Sequence, residues 1–189
     1  MLLAPRMLIP ALWLIWLLIW LVMALRVKQV AWREPPGSRL ANTLPLLVAA
    51  WLLAAHRIPY WLLQRWHDPS WGLYGLGVAL VVAGLVLAVW ARVKLAGNWS
   101  GAVTLKEGHE IVRTGPYRWI RHPIYSGLLL GLLGSAVALG EVRGLIAVLL
   151  AAAGFWRRIR LEERRLGEHV GEAYAEYRRS TWALIPFVF

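Results

Sequence analysis

The chain contains no cysteine, which excludes disulfides, thiolate catalysis and Cys-ligated metal centres. Its histidines (His56, His67, His109, His122 and His169) are scattered, without the close spacings that put two ligands on one helix face, so no metal is expected. A strand–GxGxxG–helix unit is also missing. Gly72, Gly75 and Gly77 fall inside a hydrophobic run, which excludes a Rossmann cofactor site. Acidic residues are scarce, 10 against 21 Lys and Arg, and the net charge is +11. No soluble basic domain carries that charge, so it does not indicate nucleic acid. There is no internal repeat and no low-complexity tail.

Apolar residues are abundant: the chain is 59% hydrophobic and has 13 Trp, where soluble domains are about 45–50% apolar. Five apolar segments stand out, at about 7–25, 41–55, 71–91, 123–140 and 144–156. The expected fold class is therefore all-α, a polytopic transmembrane helix bundle of about five spans with a C-terminal cytoplasmic helical extension. The first segment is too long for the apolar core of a signal peptide and is read as a retained span. The second could extend through the amphipathic stretch from Arg57 to Trp66, whose Trp and Tyr alternate with polar residues as in an interfacial belt. The fifth runs into Arg157 without a breaker, so its helix is expected to project from the membrane.

Lys and Arg divide unevenly between alternate connections, 17 against 4. The excess falls on the first loop, the third loop and the C-terminal tail. By the positive-inside rule these are cytoplasmic, which puts the N-terminus outside and makes the expected location a multi-pass position in the cell membrane. Gly127, Gly131 and Gly134 line one face of segment four. Small residues at this spacing allow close helix approach, here read as fixing the hairpin of segments four and five.

That hairpin would join two polar clusters. One is Gly115-Pro116-Tyr117-Arg118-Trp119-Ile120-Arg121-His122-Pro123-Ile124-Tyr125, at the mouth of segment four. The other is Arg157-Arg158-Ile159-Arg160-Leu161-Glu162-Glu163, following segment five. Polar groups at a membrane mouth are costly and so mark a functional site. Arg158 and Glu162 stand four apart on one helix face. Pro123 suits the first turn of a helix, and the N–H groups of that turn would point into the cytoplasmic mouth as an anion-binding terminus. Glu168, Glu172 and Glu176 read as a solvated stripe without a role.

With both clusters in view, the chain resembles the integral-membrane methyltransferases of the isoprenylcysteine carboxyl methyltransferase family, most of all their small prokaryotic members. The resemblance rests on Asn98-Trp99-Ser100-Gly101, His109-Glu110-Ile111-Val112, Gly115-Pro116-Tyr117 and Arg121-His122-Pro123-Ile124-Tyr125. It continues through Arg158 with Glu162-Glu163, Gly171-Glu172-Ala173-Tyr174 and Ile185-Pro186-Phe187. It covers about residues 92–189, so the expected division is a catalytic, cofactor-binding region over 92–189 and N-terminal, lipid- or substrate-facing helices over 1–91. Ala102 stands where eukaryotic members carry glutamine.

The resemblance implies S-adenosyl-L-methionine as methyl donor. It assigns His109, Glu110, Ile111, Val112, Tyr117, His122, Pro123, Ile124, Tyr125 and Glu162 to cofactor binding, and Arg158 to the acceptor's carboxylate. The implied partner is a lipophilic acceptor entering sideways from the bilayer. Carboxylate O-methylation would need no base, whereas an amine acceptor would call on Glu163 or His122. Two other readings compete: an NADPH-dependent membrane reductase of the steroid 5-alpha type, and a non-catalytic membrane protein whose Arg clusters only meet anionic headgroups. Acceptor identity and oligomeric state are open at this level. Ala96 to Gly115 is long enough to form a lid over the cofactor.

Overall fold

A computed structural model describes residues 3–24, 30–33, 35–55, 57–96, 104–106 and 111–186. Six helices account for most of them: α1 (Leu3–Ala24), α2 (Pro36–Ala54), α3 (Trp71–Leu95), α4 (Pro123–Leu139), α5 (Val142–Val170) and α6 (Glu172–Arg179). The five expected apolar segments coincide with α1 to α4 and the first half of α5. Met7–Ala24, Pro36–Ala54 and Trp71–Leu95 are long and apolar enough to cross a membrane, and Pro123–Leu139 is a shorter apolar helix. The 29 residues of α5 rise through about 43 Å at 1.5 Å per residue. That exceeds a hydrocarbon core of about 30 Å, so the Arg-rich half extends beyond the apolar half.

A short antiparallel pair was not anticipated from the sequence. β1 (Val30–Arg33) pairs with β2 (Thr104–Lys106), in the register Trp32 to Leu105 and Arg33 to Thr104. It ties the connection after α1 to the connection after α3. Most of the Ala96–Gly115 segment expected as a lid lies outside the described residues.

The glycine face of α4 packs against α3, which corrects the expectation that it fixes the α4–α5 hairpin. A Cβ on Gly84 would lie 2.4 Å from the Gly127 carbonyl oxygen, and one on Gly134 would lie 2.5 Å from that of Gly77. Backbones approach this closely only where both helices present small residues, and the van der Waals packing this allows favours such contacts in lipid. The α4–α5 hairpin is instead made by its turn. Gly140 ends α4 in the left-handed region at φ 68°, as a helix C-cap requires, and α5 begins two residues later. Helix α5 then packs on α2 through Ala49, Leu52, Ala147, Ala151 and Phe155.

Helix α2 does not continue through Arg57–Trp66. It ends at Ala54, Ala55 is extended (ψ 137°), and a 3-10 turn forms over Tyr60–Leu63. Pro59 holds the preceding residue out of helical geometry, and the Arg143 guanidinium takes the carbonyls of Leu52 and Ala55 at the helix end. Tyr60, Trp61 and Trp66 remain exposed, as an interfacial belt requires.

At the opposite end Arg92 has a similar use. Fully buried, it donates to the carbonyls of Met23 (2.7 Å) and Ala96 (2.6 Å), closing the C-terminal ends of α1 and α3 together. A cation at a helix C-terminus meets the negative end of its dipole. Helix α1 is held on α4 by Trp13, whose indole N–H donates to Ser135 Oγ at 3.0 Å.

Candidate active site

The two polar clusters meet where α4 begins and the charged half of α5 leaves the apolar bundle. His122 is the N-cap of α4 and Pro123 its first residue, as the sequence indicated. The His122 ring is buried between consecutive carboxylates of α5. Its Nε2 lies 3.2 Å from Glu163 Oε1 and its Nδ1 lies 3.5 Å from Glu162 Oε2. Tyr125, one helical turn into α4, donates its hydroxyl to Glu162 Oε1 at 2.7 Å. Arg158 Nε reaches the same oxygen from the preceding turn of α5 at 3.3 Å, and the Arg158 guanidinium lies 5.7 Å from the Tyr125 ring centre. Tyr125 is sandwiched, with His122 stacked on one side (centroids 5.7 Å apart) and Phe155 on the other (4.8 Å).

Glu163 faces away from Glu162 toward Arg121, which donates Nε to Glu163 Oε1 at 2.8 Å. The same Arg121 reaches the carbonyls of Arg178 (3.1 Å) and Thr181. Beyond α6 the chain returns beside the start of α4. Arg121 N–H donates to Trp182 O (2.8 Å), His122 N–H to Ala183 O (3.1 Å), and Trp182 N–H to Trp119 O (3.0 Å). Ser126 Oγ fastens the strap further by donating to Leu184 O at 2.6 Å.

This strap and the first turn alter the expected anion site. The N–H groups of Tyr125 and Ser126 both bond the His122 carbonyl, and those of Arg121 and His122 are taken by the strap. The mouth therefore presents side-chain charge more than a bare helix terminus.

Burial alone would push the Glu162 carboxyl up. Hydrogen bonding from His122, the Arg158 charge and the Tyr125 hydroxyl overturn this and hold it below the ordinary carboxylate value. Glu163 is also buried, yet His122 and Arg121 hold it down to about 2. Burial would lower the His122 value, but the two carboxylates win and raise it. Burial, then the Glu162 charge, pushes the Tyr117 hydroxyl up.

Among the residues singled out from the sequence, Tyr117, His122, Pro123, Ile124, Tyr125, Arg158 and Glu162 are brought to this end of the bundle. Tyr117 and Ile124 are buried together with Ala91, and Val112 packs against them. Ile111 is half-buried next to Val112. His109 and Glu110 lie outside the described residues. Sequence reasoning missed Phe155 and the strap at Trp182–Leu184. The signal for the strap was a short apolar run closing the chain after a charged helix.

Comparison with known proteins accords with this arrangement. Residues 77–168 match the model of the isoprenylcysteine carboxyl methyltransferase family. Protein-S-isoprenylcysteine O-methyltransferase B of Arabidopsis thaliana is 29% identical over 121 residues, covering 62% of this chain and 61% of the plant protein. The protein-S-isoprenylcysteine O-methyltransferase of Saccharomyces cerevisiae is 32% identical over 116 residues, covering 60% and 48%. The chain thus spans about three-fifths of the plant relative's length and about half of the yeast one's. The solved structure of the eukaryotic intramembrane Ras methyltransferase ICMT superposes with a TM-score of 0.56 at 23% identity, covering 84% of this chain and 55% of that one. At that identity the likeness speaks for the fold.

Proposed function

We propose that the chain, an integral membrane protein whose residues 77–168 match the isoprenylcysteine carboxyl methyltransferase family, is a member of that family and an S-adenosylmethionine-dependent enzyme that methylates the carboxylate of a lipophilic acceptor. The observation that carries the proposal is the absence of a usable base among the described residues of the cluster. Glu163 is locked between Arg121 and His122 and held down to about 2. His122 has both ring nitrogens engaged by the carboxylates of Glu162 and Glu163, which raise its value against the effect of burial. An amine acceptor would need one of them to take a proton. A carboxylate acceptor arrives as the nucleophile and becomes an ester with no proton to remove.

The side chains present fit the methyl donor. S-adenosylmethionine, when bound, supplies a methyl group already activated by its sulfonium, so the protein's work is positioning. Glu162 is 23% exposed and Arg158 13%, so both remain within reach of ligands. Glu162 Oε1 already accepts from Tyr125 and Arg158, while among the described residues Oε2 has the longer His122 contact. Oε2 therefore has capacity for an ammonium or a ribose hydroxyl. Tyr125, braced between His122 and Phe155, holds Glu162 in place through its hydroxyl, and the Tyr117 ring is the aromatic group suited to a sulfonium. In this reading His109, Glu110, Ile111 and Val112 contribute mainly backbone contacts, and Pro123 and Ile124 seat the α4 terminus.

Arg158 would hold the acceptor's carboxylate in line while Glu162 and Tyr125 fix the guanidinium. The acceptor's apolar part would lie among the helices of residues 1–91 and enter from the bilayer. The proposed location is the cell membrane, with the N-terminus outside and the site on the cytoplasmic face, on the charge asymmetry of the connections.

The test uses purified protein, tritiated methyl donor and an S-isoprenylcysteine acceptor. Methylation of a carboxylate gives a product that releases tritiated methanol in base. A product stable to base would mean N- or S-methylation and would overturn the carboxylate reading.

A further inference from the structure

One buried polar group at the cluster has no use in the account above. Tyr174, in the first turn of α6, is 4% exposed, and among the described residues its hydroxyl has no hydrogen-bond partner. Buried hydroxyls are almost always paired, and leaving one unpaired is unfavourable. Its neighbour Tyr177 shows the ordinary arrangement, donating to the Tyr117 carbonyl at 2.7 Å. The two rings lie 6.3 Å apart on the same short helix, so the helix alone does not account for the difference.

The surroundings of Tyr174 say what kind of partner would satisfy it. Glu163, Arg121, Glu162 and Arg178 are the charges that act on its hydroxyl. With Arg158, the cluster sets the guanidiniums of Arg121, Arg158 and Arg178 against the two carboxylates of Glu162 and Glu163. It is short of negative charge. Burial, then the Glu163 charge, pushes the Tyr174 hydroxyl well above its ordinary value, so the hydroxyl stays a donor. A neutral donor beside an excess of cations suits a carboxylate.

Helix α6 joins α5 through Gly171 at φ 65° and ψ −131°, a conformation that favours glycine. It is docked by Tyr177 on the Tyr117 carbonyl, by Arg113 reaching Ala173 O (3.1 Å) and by Arg121 reaching Arg178 O (3.1 Å), which holds Tyr174 beside the cluster.

We propose that the Tyr174 hydroxyl binds the amino-acid carboxylate of the methyl donor, making α6 part of the cofactor site. This rests on the methyltransferase reading. The two separate in one experiment on the full chain in detergent. Wild type and Tyr174→Phe are titrated with S-adenosylhomocysteine and with its decarboxylated analogue, and the melting temperature of each ligand-free protein is recorded.

The proposal predicts that Tyr174→Phe leaves the ligand-free melting temperature unchanged or raised, since an orphan hydroxyl is removed. Affinity for S-adenosylhomocysteine should weaken by roughly tenfold or more, the worth of a hydrogen bond to a charged group. Affinity for the decarboxylated analogue should be the same in both proteins. A fall in the ligand-free melting temperature with unchanged affinity would make the hydroxyl structural and overturn the proposal. Equal weakening for both ligands would also overturn it, because the partner would not be the carboxylate. A wild type that binds neither compound would remove the methyltransferase reading and this inference together.

Discussion

The Arg121–Glu163 pair is nine-tenths buried on the Arg121 side, so removing one partner leaves a stranded charge. Arg121→Ala should destabilise the protein by about 3–5 kcal/mol, read as a lower midpoint in denaturant, with the strap at Trp182–Leu184 becoming open to proteolysis. Unchanged stability would mean that the pair is solvated. The two partners stand 42 positions apart, so their pairing depends on how α4 and α5 dock and was not legible in the sequence. The Arg158–Glu162 pair was legible, because helical periodicity puts residues four apart on one face.

The same cluster gives a pH dependence with a definite sign. Glu163 titrates lower in the folded protein, so its contribution is complete above its unfolded value, about 4.3, and is lost as pH falls toward 2. His122 titrates higher when folded, so its contribution is complete below about 6.5 and is lost as pH rises through the folded value. Melting temperature should therefore peak between about pH 4.3 and 6.5 and decline above that window. His122→Asn should flatten the alkaline decline. An unaltered slope in that variant would assign the decline to another group.

At the scale of elements, hydropathy showed where the helices lie but not which neighbour each glycine face meets. A row of small residues permits close approach and is silent about the partner, and α3 carries matching glycines that the reading left unused. Gly127→Ala would drive a Cβ to 2.4 Å from the Gly84 carbonyl oxygen and should cost at least about 1–3 kcal/mol through forced separation of α3 and α4. Gly167→Ala is the control. Nothing lies within 4 Å of its added Cβ, and within α5 it should stabilise by about 0.5–1 kcal/mol. Equal melting temperatures for the two variants would refute the α3–α4 glycine contact. The end of α2 carries the same lesson, since amphipathic Arg57–Trp66 looked like a continuing helix. Pro59 and the Arg143 cap stop it, and only Pro59 was visible in the local sequence.

At the scale of the whole molecule, the five helical segments fold the chain so that two polar clusters, costly at a membrane mouth, pair with each other at one end. The family match begins at residue 77, before the region the motifs had marked, and so takes in Gly77 and Gly84 of α3, which meet the glycine face of α4. The central claim is that this end of the bundle is a methyl-donor site built on Glu162. It is tested most directly by measuring S-adenosylhomocysteine binding to detergent-purified wild type and Glu162→Gln, with NADPH as the competing ligand. A bound ligand raises the melting temperature by mass action. The account predicts a concentration-dependent rise with S-adenosylhomocysteine that Glu162→Gln abolishes, and none with NADPH. A rise with NADPH alone, or an equal rise with S-adenosylhomocysteine in wild type and Glu162→Gln, would contradict it.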